Sequence, residues 1–249
     1  MVTGKTEQAK DLLPDLITNY AEWEKKRRDP NGYFWQYDGD DGMEAAIGGN
    51  GYRPTINSYM YGDAKAITTI AGLCDKPEVD AEFLKKAEAT KQFTQTQLWD
   101  KDAHFFKMIR RGNTPTAEKD MKLLDVIEEH GLTPWYFNLP DRGQGYEAAW
   151  RHVLDPQILR APYGPTTADQ RHPAFLISYE GHECQWKGPS WPYSTAATLT
   201  AMANLLNHYQ QSVVTKADYR DALRIYSNSH RRPSEDGKIL PWIDENLHP

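Results

Sequence analysis

Carboxyl groups, cationic groups and tryptophan rings occur together in three segments of this 249-residue sequence. Carboxyl groups can donate and accept protons in a reaction if the fold brings two of them to one pocket. Indole rings can stack on the apolar C–H face of a sugar, although they also fill protein cores. Acidic residues in glycine-rich loops are often only solvated or cap a helix, so a structural role stays open at each position. The three segments are residues 40–59, 163–193 and 243–249.

Amphipathic helices must position these segments. Apolar residues at helical spacing predict helices over residues 8–27, 55–73, 80–98, 145–154, 194–209 and 216–230. Residues 103–110 predict a short strand, whereas residues 116–130 fit both helix and strand periods and stay unassigned. A long glycine-rich loop separates the first two helices, and loops of that length are usually functional.

Helices that each bury one face and present their loops at one end predict an all-α fold. We expect an (α/α)6 toroid of helical hairpins with short β elements in the loops. A closed toroid needs about a dozen helices, whereas a chain of this length yields roughly six to eight. The sequence therefore predicts one domain over residues 1–249 that is a partial barrel with its last hairpin missing.

Four motifs carry most of the candidate chemistry, and they follow one another from residue 40 to residue 249. They are Asp40-Asp41-Gly42-Met43-Glu44, Thr55-Ile56-Asn57-Ser58-Tyr59, Trp186-Lys187-Gly188-Pro189-Ser190-Trp191 and Asp244-Glu245-Asn246-Leu247-His248-Pro249. In type and order they resemble the motifs of the six-hairpin glycosidases, the inverting glycoside hydrolases that include processing glucosidase I, trehalase and mannosylglycerate hydrolase. The resemblance implies a glycoside hydrolase without an organic cofactor, acting on an oligosaccharide or polysaccharide.

The resemblance also implies site residues. Glu44 takes the place of the general acid and Glu245 that of the general base, with Asp41 as the second candidate for the acid. Thr55 stands where the family has an acidic residue, and Lys187 stands where it has arginine, so sugar contacts there need not be the same. We expect the substrate to be bound by Trp35, Asp41, Arg53, Asn57, Trp186, Lys187 and Trp191.

Several of the candidate residues could have a different role. Asp40 could orient a sugar hydroxyl or help to hold an ion, and Arg53 could instead pair with Asp40 or Asp41 and fix the loop. The three tryptophans could be packing residues, and Trp135 is expected in the wall of the pocket.

Inverting hydrolysis suits two carboxyl groups on distant segments. One protonates the leaving oxygen, and the other activates water on the opposite face of the sugar. The two carboxyl groups are then about 6.5–9.5 Å apart. Asp40 and Asp41 beside Glu44 favour its protonated form by like-charge repulsion. Asn246 and His248 offer polar groups that keep Glu245 ionised. Glu183 is the first alternative candidate for the base.

Composition excludes several other classes. A net charge of -6 argues against binding to nucleic acid. Two cysteines far apart indicate neither a disulfide framework nor a zinc site, and His172, His182 and Glu183 lack the spacing of a helical zinc motif. No stretch is long and apolar enough for a membrane span. Residues 1–8 lack the apolar region of a signal peptide, so the chain reads as soluble, and export of a longer protein stays open.

Two other functions compete with hydrolysis. The chain could bind or sense carbohydrate on the same scaffold without turnover. A lyase or epimerase on such a toroid is less favoured, because it would be expected to use a histidine or tyrosine base rather than two separated carboxyl groups.

Overall fold

In the computed structural model, residues 6–178 and 184–249 are described, and eight α-helices lie in these two ranges. The helices are α1 Glu7–Asp11, α2 Leu13–Arg27, α3 Pro54–Leu73, α4 Pro77–Gln97, α5 Thr133–Tyr136, α6 Arg151–Leu154, α7 Pro192–His208 and α8 Lys216–Ser229. Three 3₁₀ helices are Glu118–Asp120, Glu129–Leu132 and Tyr146–Trp150. No helix in the described ranges has the length and hydropathy to cross a membrane.

Short strands form four two-stranded antiparallel sheets in the loops. The strands are β1 Gly51–Tyr52, β2 Trp99–Asp100, β3 Phe105–Phe106, β4 Ile109–Arg110, β5 Arg160–Ala161, β6 Gly164–Pro165, β7 Arg231–Pro233 and β8 Ile239–Pro241. Strand β1 pairs with β4, β2 with β3, β5 with β6, and β7 with β8. The prediction of a mainly helical fold with short β elements in its loops is confirmed.

Local sequence explains where the main helices begin. Helices α3, α4 and α7 each have a proline in the first turn, where the missing N–H would have no partner in the helix. Helix α8 begins with a capping box, in which the Thr215 hydroxyl accepts from the Asp218 amide (3.2 Å) and the Asp218 carboxylate accepts from the Thr215 amide (2.8 Å).

Two apolar cores hold the helices together. The first packs α2, α3 and α4 through side chains that recur every three or four residues in α3; it includes Leu13, Tyr20, Ile56, Met60, Ala64, Ile67, Phe83 and Ala87. The second joins α4, α5 and α7 to the loops; it includes Trp35, Tyr52, Phe93, Phe105, Phe106, Trp135, Trp150, Met202 and Leu205. Met43, Trp186 and Trp191 of the candidate motifs form a third, smaller cluster.

Some element boundaries differ from the sequence predictions. The predicted first helix is divided at Leu12, because Pro14 fits only a first turn. The predicted strand at 103–110 is two strands, each paired with a different partner. The predicted helix at 145–154 is a 3₁₀ helix followed by one α turn, and α5 and the β7–β8 hairpin were not predicted.

Candidate functional site

Arg53 anchors the glycine-rich loop that carries the first motif. It immediately precedes α3, is fully buried, and forms ion pairs with Asp38 and with Asp41 (3.1 Å). Burial opposes its charge, but Asp41, Glu128 and Asp38 together raise the pKa of Arg53. The Asp41 carboxylate also accepts from the Thr55 hydroxyl (2.7 Å) and the Met43 amide (3.1 Å). Arg53 and Asp41 thus fix the shape of the loop.

Asp40 does not take part in this pair. Its carboxylate accepts from Arg27 at 2.6 Å and 3.2 Å and from the Tyr37 amide at 2.9 Å. Partial burial opposes ionisation, but these hydrogen bonds lower the pKa of Asp40 below its ordinary value. Of the two pairings predicted as alternatives for Arg53, the one with Asp41 forms and the one with Asp40 does not, and Asp38 is a second partner.

Glu44 lies at the end of the same loop and is half-buried. Its backbone oxygen accepts from the Trp186 amide (3.1 Å), which joins the first motif to the third. No described residue forms a hydrogen bond with its carboxyl group. Glu44 therefore has its backbone fixed and its carboxyl group available for a ligand.

The two tryptophans of the third motif form a stacked pair. Their ring centroids are 4.3 Å apart, the planes differ by 15°, and both rings are almost fully buried against Met43. The Trp191 indole N–H donates to the Gln185 oxygen (3.0 Å). Lys187 between them is half-buried, and its backbone oxygen accepts from the Leu176 amide (3.1 Å).

Glu245 lies in an exposed stretch that is fastened to the third motif at one point. The Ser190 amide donates to the Leu247 oxygen (2.9 Å), and the Leu247 amide donates to the Ser190 oxygen (2.8 Å). Glu245 borders an open depression of about 640 Å³ together with Ile177, Pro189 and the other residues of 244–248. Both candidate carboxyl groups thus lie on segments joined to residues 186–190.

Two of the expected substrate-binding residues lie away from this surface. Trp35 belongs to the second core, and the guanidinium groups of Arg111 and Arg27 lie 3.7 Å and 5.1 Å from ring centroids of its indole. Asn57 is fully buried, and its amide donates to two backbone oxygens, at 2.9 Å and 3.0 Å. Trp135, expected in the pocket wall, is also fully buried and packs on Trp150.

A buried acidic pair, Glu128 and Glu129, was missed by the sequence reasoning. Glu129 accepts from the Ser194 hydroxyl (2.6 Å) and the Thr198 hydroxyl (2.8 Å) of α7, and burial raises the pKa of Glu129 to about 7. Glu128 is paired with the His130 Nε2 (3.1 Å). Burial opposes its ionisation, but His130 and Arg53 lower the pKa of Glu128. Two adjacent acids directly after the apolar pair Val126-Ile127 were the available signal.

Two small cavities meet at Glu129. Each measures about 10 Å³, and both are lined by Met43, Glu129, His130 and Ser194. One reaches Trp186, and the other reaches Tyr59 and Tyr193, whose hydroxyls are 3.1 Å apart. In residues 6–178 and 184–249 no group of three or more His, Cys, Asp or Glu side chains could hold a metal ion. The predicted alternative base Glu183, and His182, lie outside these ranges.

Comparisons with known proteins give the site its context. A profile of the mannosylglycerate hydrolase MGH1-like glycoside hydrolase domain matches residues 1–249. A solved structure named sialidase is 38% identical with a TM-score of 0.88, over 98% of this chain and 22% of that one. The GH63 mannosylglycerate hydrolase from Thermus thermophilus, in complex with glucose, is 14% identical with a TM-score of 0.68, over 90% of this chain and 60% of that one.

An uncharacterized conserved protein from the same organism is also similar in fold, with a TM-score of 0.67 and 14% identity over 88% of this chain and 61% of that one. The chain therefore spans between about a fifth and three fifths of the length of these relatives. A search of curated proteins found no match.

Proposed function

Because this chain belongs to the mannosylglycerate hydrolase MGH1-like glycoside hydrolase family, we propose that it cleaves a terminal sugar from an oligosaccharide or polysaccharide with inversion at the anomeric carbon. Glu44 protonates the leaving oxygen as general acid. Glu245 removes a proton from the attacking water as general base. The segment from Trp186 to Trp191 forms the floor between them, and its two almost fully buried, stacked indole rings support that floor from within.

One observation carries this proposal: both acidic segments are fastened to the same short segment. The Trp186 amide holds the backbone of Glu44 (3.1 Å), and Ser190, four residues later, holds Leu247 (2.9 Å). An inverting reaction requires two carboxyl groups on opposite sides of one sugar, with space between them for water. Because residues 186–190 hold both the segment of Glu44 and the segment of Glu245, they can keep the two carboxyl groups at such a separation.

The contacts also support Glu44 rather than Asp41 as the acid. Asp41 accepts from Arg53, Thr55 and the Met43 amide, which favours a fixed anion. An acid must release its proton to the substrate and then regain one, so a carboxyl group committed to a buried guanidinium is poorly suited. Asp41 instead supports the substrate floor by holding Arg53 and the loop.

A carbohydrate-binding role without turnover is the second candidate, favoured by the open, exposed position of Glu245. A general base works best where surrounding groups orient the water. Hydrolysis releases a free sugar as product, whereas carbohydrate binding alone releases none.

The test is hydrolysis of a panel of 4-nitrophenyl glycosides and of the matching oligosaccharides, followed by proton NMR. Product whose first-formed anomer has the configuration opposite to the substrate supports the proposal. Glu245→Gln should abolish hydrolysis, whereas the control Glu235→Gln, an exposed residue in the β7–β8 turn, should not change it. Sugar binding without any product would instead support the second candidate, and retained configuration would contradict the mechanism.

A further inference from the structure

We propose that Glu129, His130 and Trp186 form a subsite that binds one hydroxyl group of a neutral sugar, at the inner end of the candidate site. This inference rests on the proposed function, since it assigns the ligand chemistry of that same site. It adds Glu129 and His130, which neither the four motifs nor the two catalytic roles account for, and it gives the indole N–H of Trp186 a ligand.

The space available at this place fits a single small group. The cavity that these three residues share with Met43 and Thr167 measures about 10 Å³. That is roughly the space that one water molecule or one hydroxyl requires, and it is far too small for a sugar ring. The occupant is therefore one substituent of a ring that lies outside the cavity.

Two polar atoms of residues that line the cavity have no hydrogen-bond partner among the described residues. They are the indole Nε1 of Trp186 and the Nδ1 of His130, in residues that are 3% and 6% exposed. Buried polar atoms without a partner are uncommon, because desolvation costs free energy that only a hydrogen bond recovers. Other buried atoms of the described residues also lack a partner, among them the indole N–H of Trp150, but Trp186 and His130 in addition line a cavity with room for a polar occupant.

The identity of these atoms selects a hydroxyl group. The Trp186 indole can only donate a hydrogen bond. His130 places its Nε2 3.1 Å from Glu128, and its Nδ1 donates or accepts according to the tautomer of the ring. The occupant must accept from Trp186, and a hydroxyl can in addition either donate to Nδ1 or accept from it. An ammonium group cannot accept.

Glu129 strengthens this selection. Its carboxyl group accepts from Ser194 and Thr198 and has no cationic side chain beside it. An acidic substituent of a sugar would be repelled whenever Glu129 is ionised, that is above about pH 7, whereas a neutral hydroxyl is accommodated in either state of this carboxyl group. The subsite is thus expected to favour neutral sugars over sugar acids at this position.

The experiment measures binding of glucose, galactose, mannose and L-arabinose to the 249-residue chain by isothermal titration calorimetry. Deoxy derivatives of the sugar that binds are then compared. Removing one particular hydroxyl should weaken binding to the wild-type chain about tenfold. Trp186→Phe should bind the complete sugar about tenfold more weakly and no longer distinguish that deoxy derivative. Trp150→Phe is the matched control, because Trp150 is also fully buried with an unpartnered indole N–H but lies outside the cavity.

A second measurement does not depend on a variant folding. The indole N–H resonance of Trp186 should shift when the sugar is added to the wild-type chain, and that of Trp150 should not. Unchanged discrimination by Trp186→Phe, an unmoved Trp186 resonance, or no binding of any of the four sugars would each overturn the subsite. Hydrolysis with unchanged discrimination would leave the proposed function standing. Binding with the expected discrimination but without hydrolysis would support the subsite and contradict the hydrolase.

Discussion

The carboxyl groups of this chain differ in what surrounds them, and that decides which can take part in chemistry. Asp38 and Asp41 are held by Arg53, Asp40 by Arg27, and Glu129 by two hydroxyls of α7. Glu44 and Glu245 are on the loop surface near the tryptophan pair. At the scale of single residues, the supporting acids are those whose carboxyl groups form ion pairs or hydrogen bonds with described residues, and the proposed catalytic acids are those whose carboxyl groups do not.

Replacement of Glu44 tests its proposed role directly. Glu44→Gln should lower kcat on an oligosaccharide by at least about a hundredfold, because general acid catalysis contributes about 10²–10⁴ to the rate. A 4-nitrophenyl glycoside, whose leaving group needs no proton, should lose much less. Both substrates are measured on the same preparations. Equal losses on the two would show that Glu44 is not the acid.

Glu129 should make stability depend on pH. Its pKa is raised by burial from 4.5 to about 7, so the folded chain binds this proton more tightly than the unfolded chain. The resulting stabilisation is complete below about pH 4.5 and is lost as the pH rises to about 7. Over that range wild type should lose up to roughly 3 kcal/mol relative to Glu129→Gln.

Urea unfolding at half-unit pH steps measures this difference. Comparing the two chains removes the contribution of other titrating groups, which both chains share. Parallel pH profiles of wild type and Glu129→Gln would mean that the carboxyl group of Glu129 is not buried in solution as described.

At the scale of elements, helix α3 contains two glycines with opposite surroundings. A side chain at Gly62 would collide with the ring of Phe137, whereas a side chain at Gly72 would meet nothing within 4 Å. Gly72→Ala should therefore stabilise the chain by about 0.5–1 kcal/mol, through the lower entropy of the unfolded state. Gly62→Ala should destabilise it by about 1–3 kcal/mol, because α3 and the loop after α5 must separate. Thermal unfolding of the pair gives the sign of each, and equal signs would contradict the packing.

Elements with a clear periodicity could be predicted from the sequence, and contacts between distant loops could not. The bounds of α3, α4, α7 and α8 lie within three residues of those predicted, because their apolar spacing and first-turn prolines are local signals. Arg53 forms an ion pair with Asp38 and not with Asp40 because of the way the loop between them turns. The buried carboxyl group of Glu129 accepts hydrogen bonds from Ser194 and Thr198, which lie more than sixty residues away in the sequence. Neither is encoded in the spacing of nearby residues.

At the scale of the whole molecule, we predict that residues 1–249 unfold as one unit. Leu13 is buried in the first core, while its neighbour Leu12 is exposed. Leu13→Ala should cost about 2–5 kcal/mol, and Leu12→Ala should cost little. Leu205→Ala, in the second core, should shift the same transition as Leu13→Ala.

Differential scanning calorimetry distinguishes one transition from two. If Leu13→Ala and Leu205→Ala moved separate peaks, the two cores would be independent and the chain would contain two domains. A common peak that moves in both variants is the result that a single domain requires.

The reciprocal hydrogen bonds between Ser190 and Leu247 have a consequence for deuterium exchange. Because one separation releases both amides, they should show the same protection factor, whereas the exposed amides of Asp244 and Glu245 should exchange within the dead time. Mass spectrometry with residue-level fragmentation would resolve these positions. The protection factor at Leu247 then measures the fraction of time for which the segment of Glu245 is separated from Ser190. It can be measured with no substrate present.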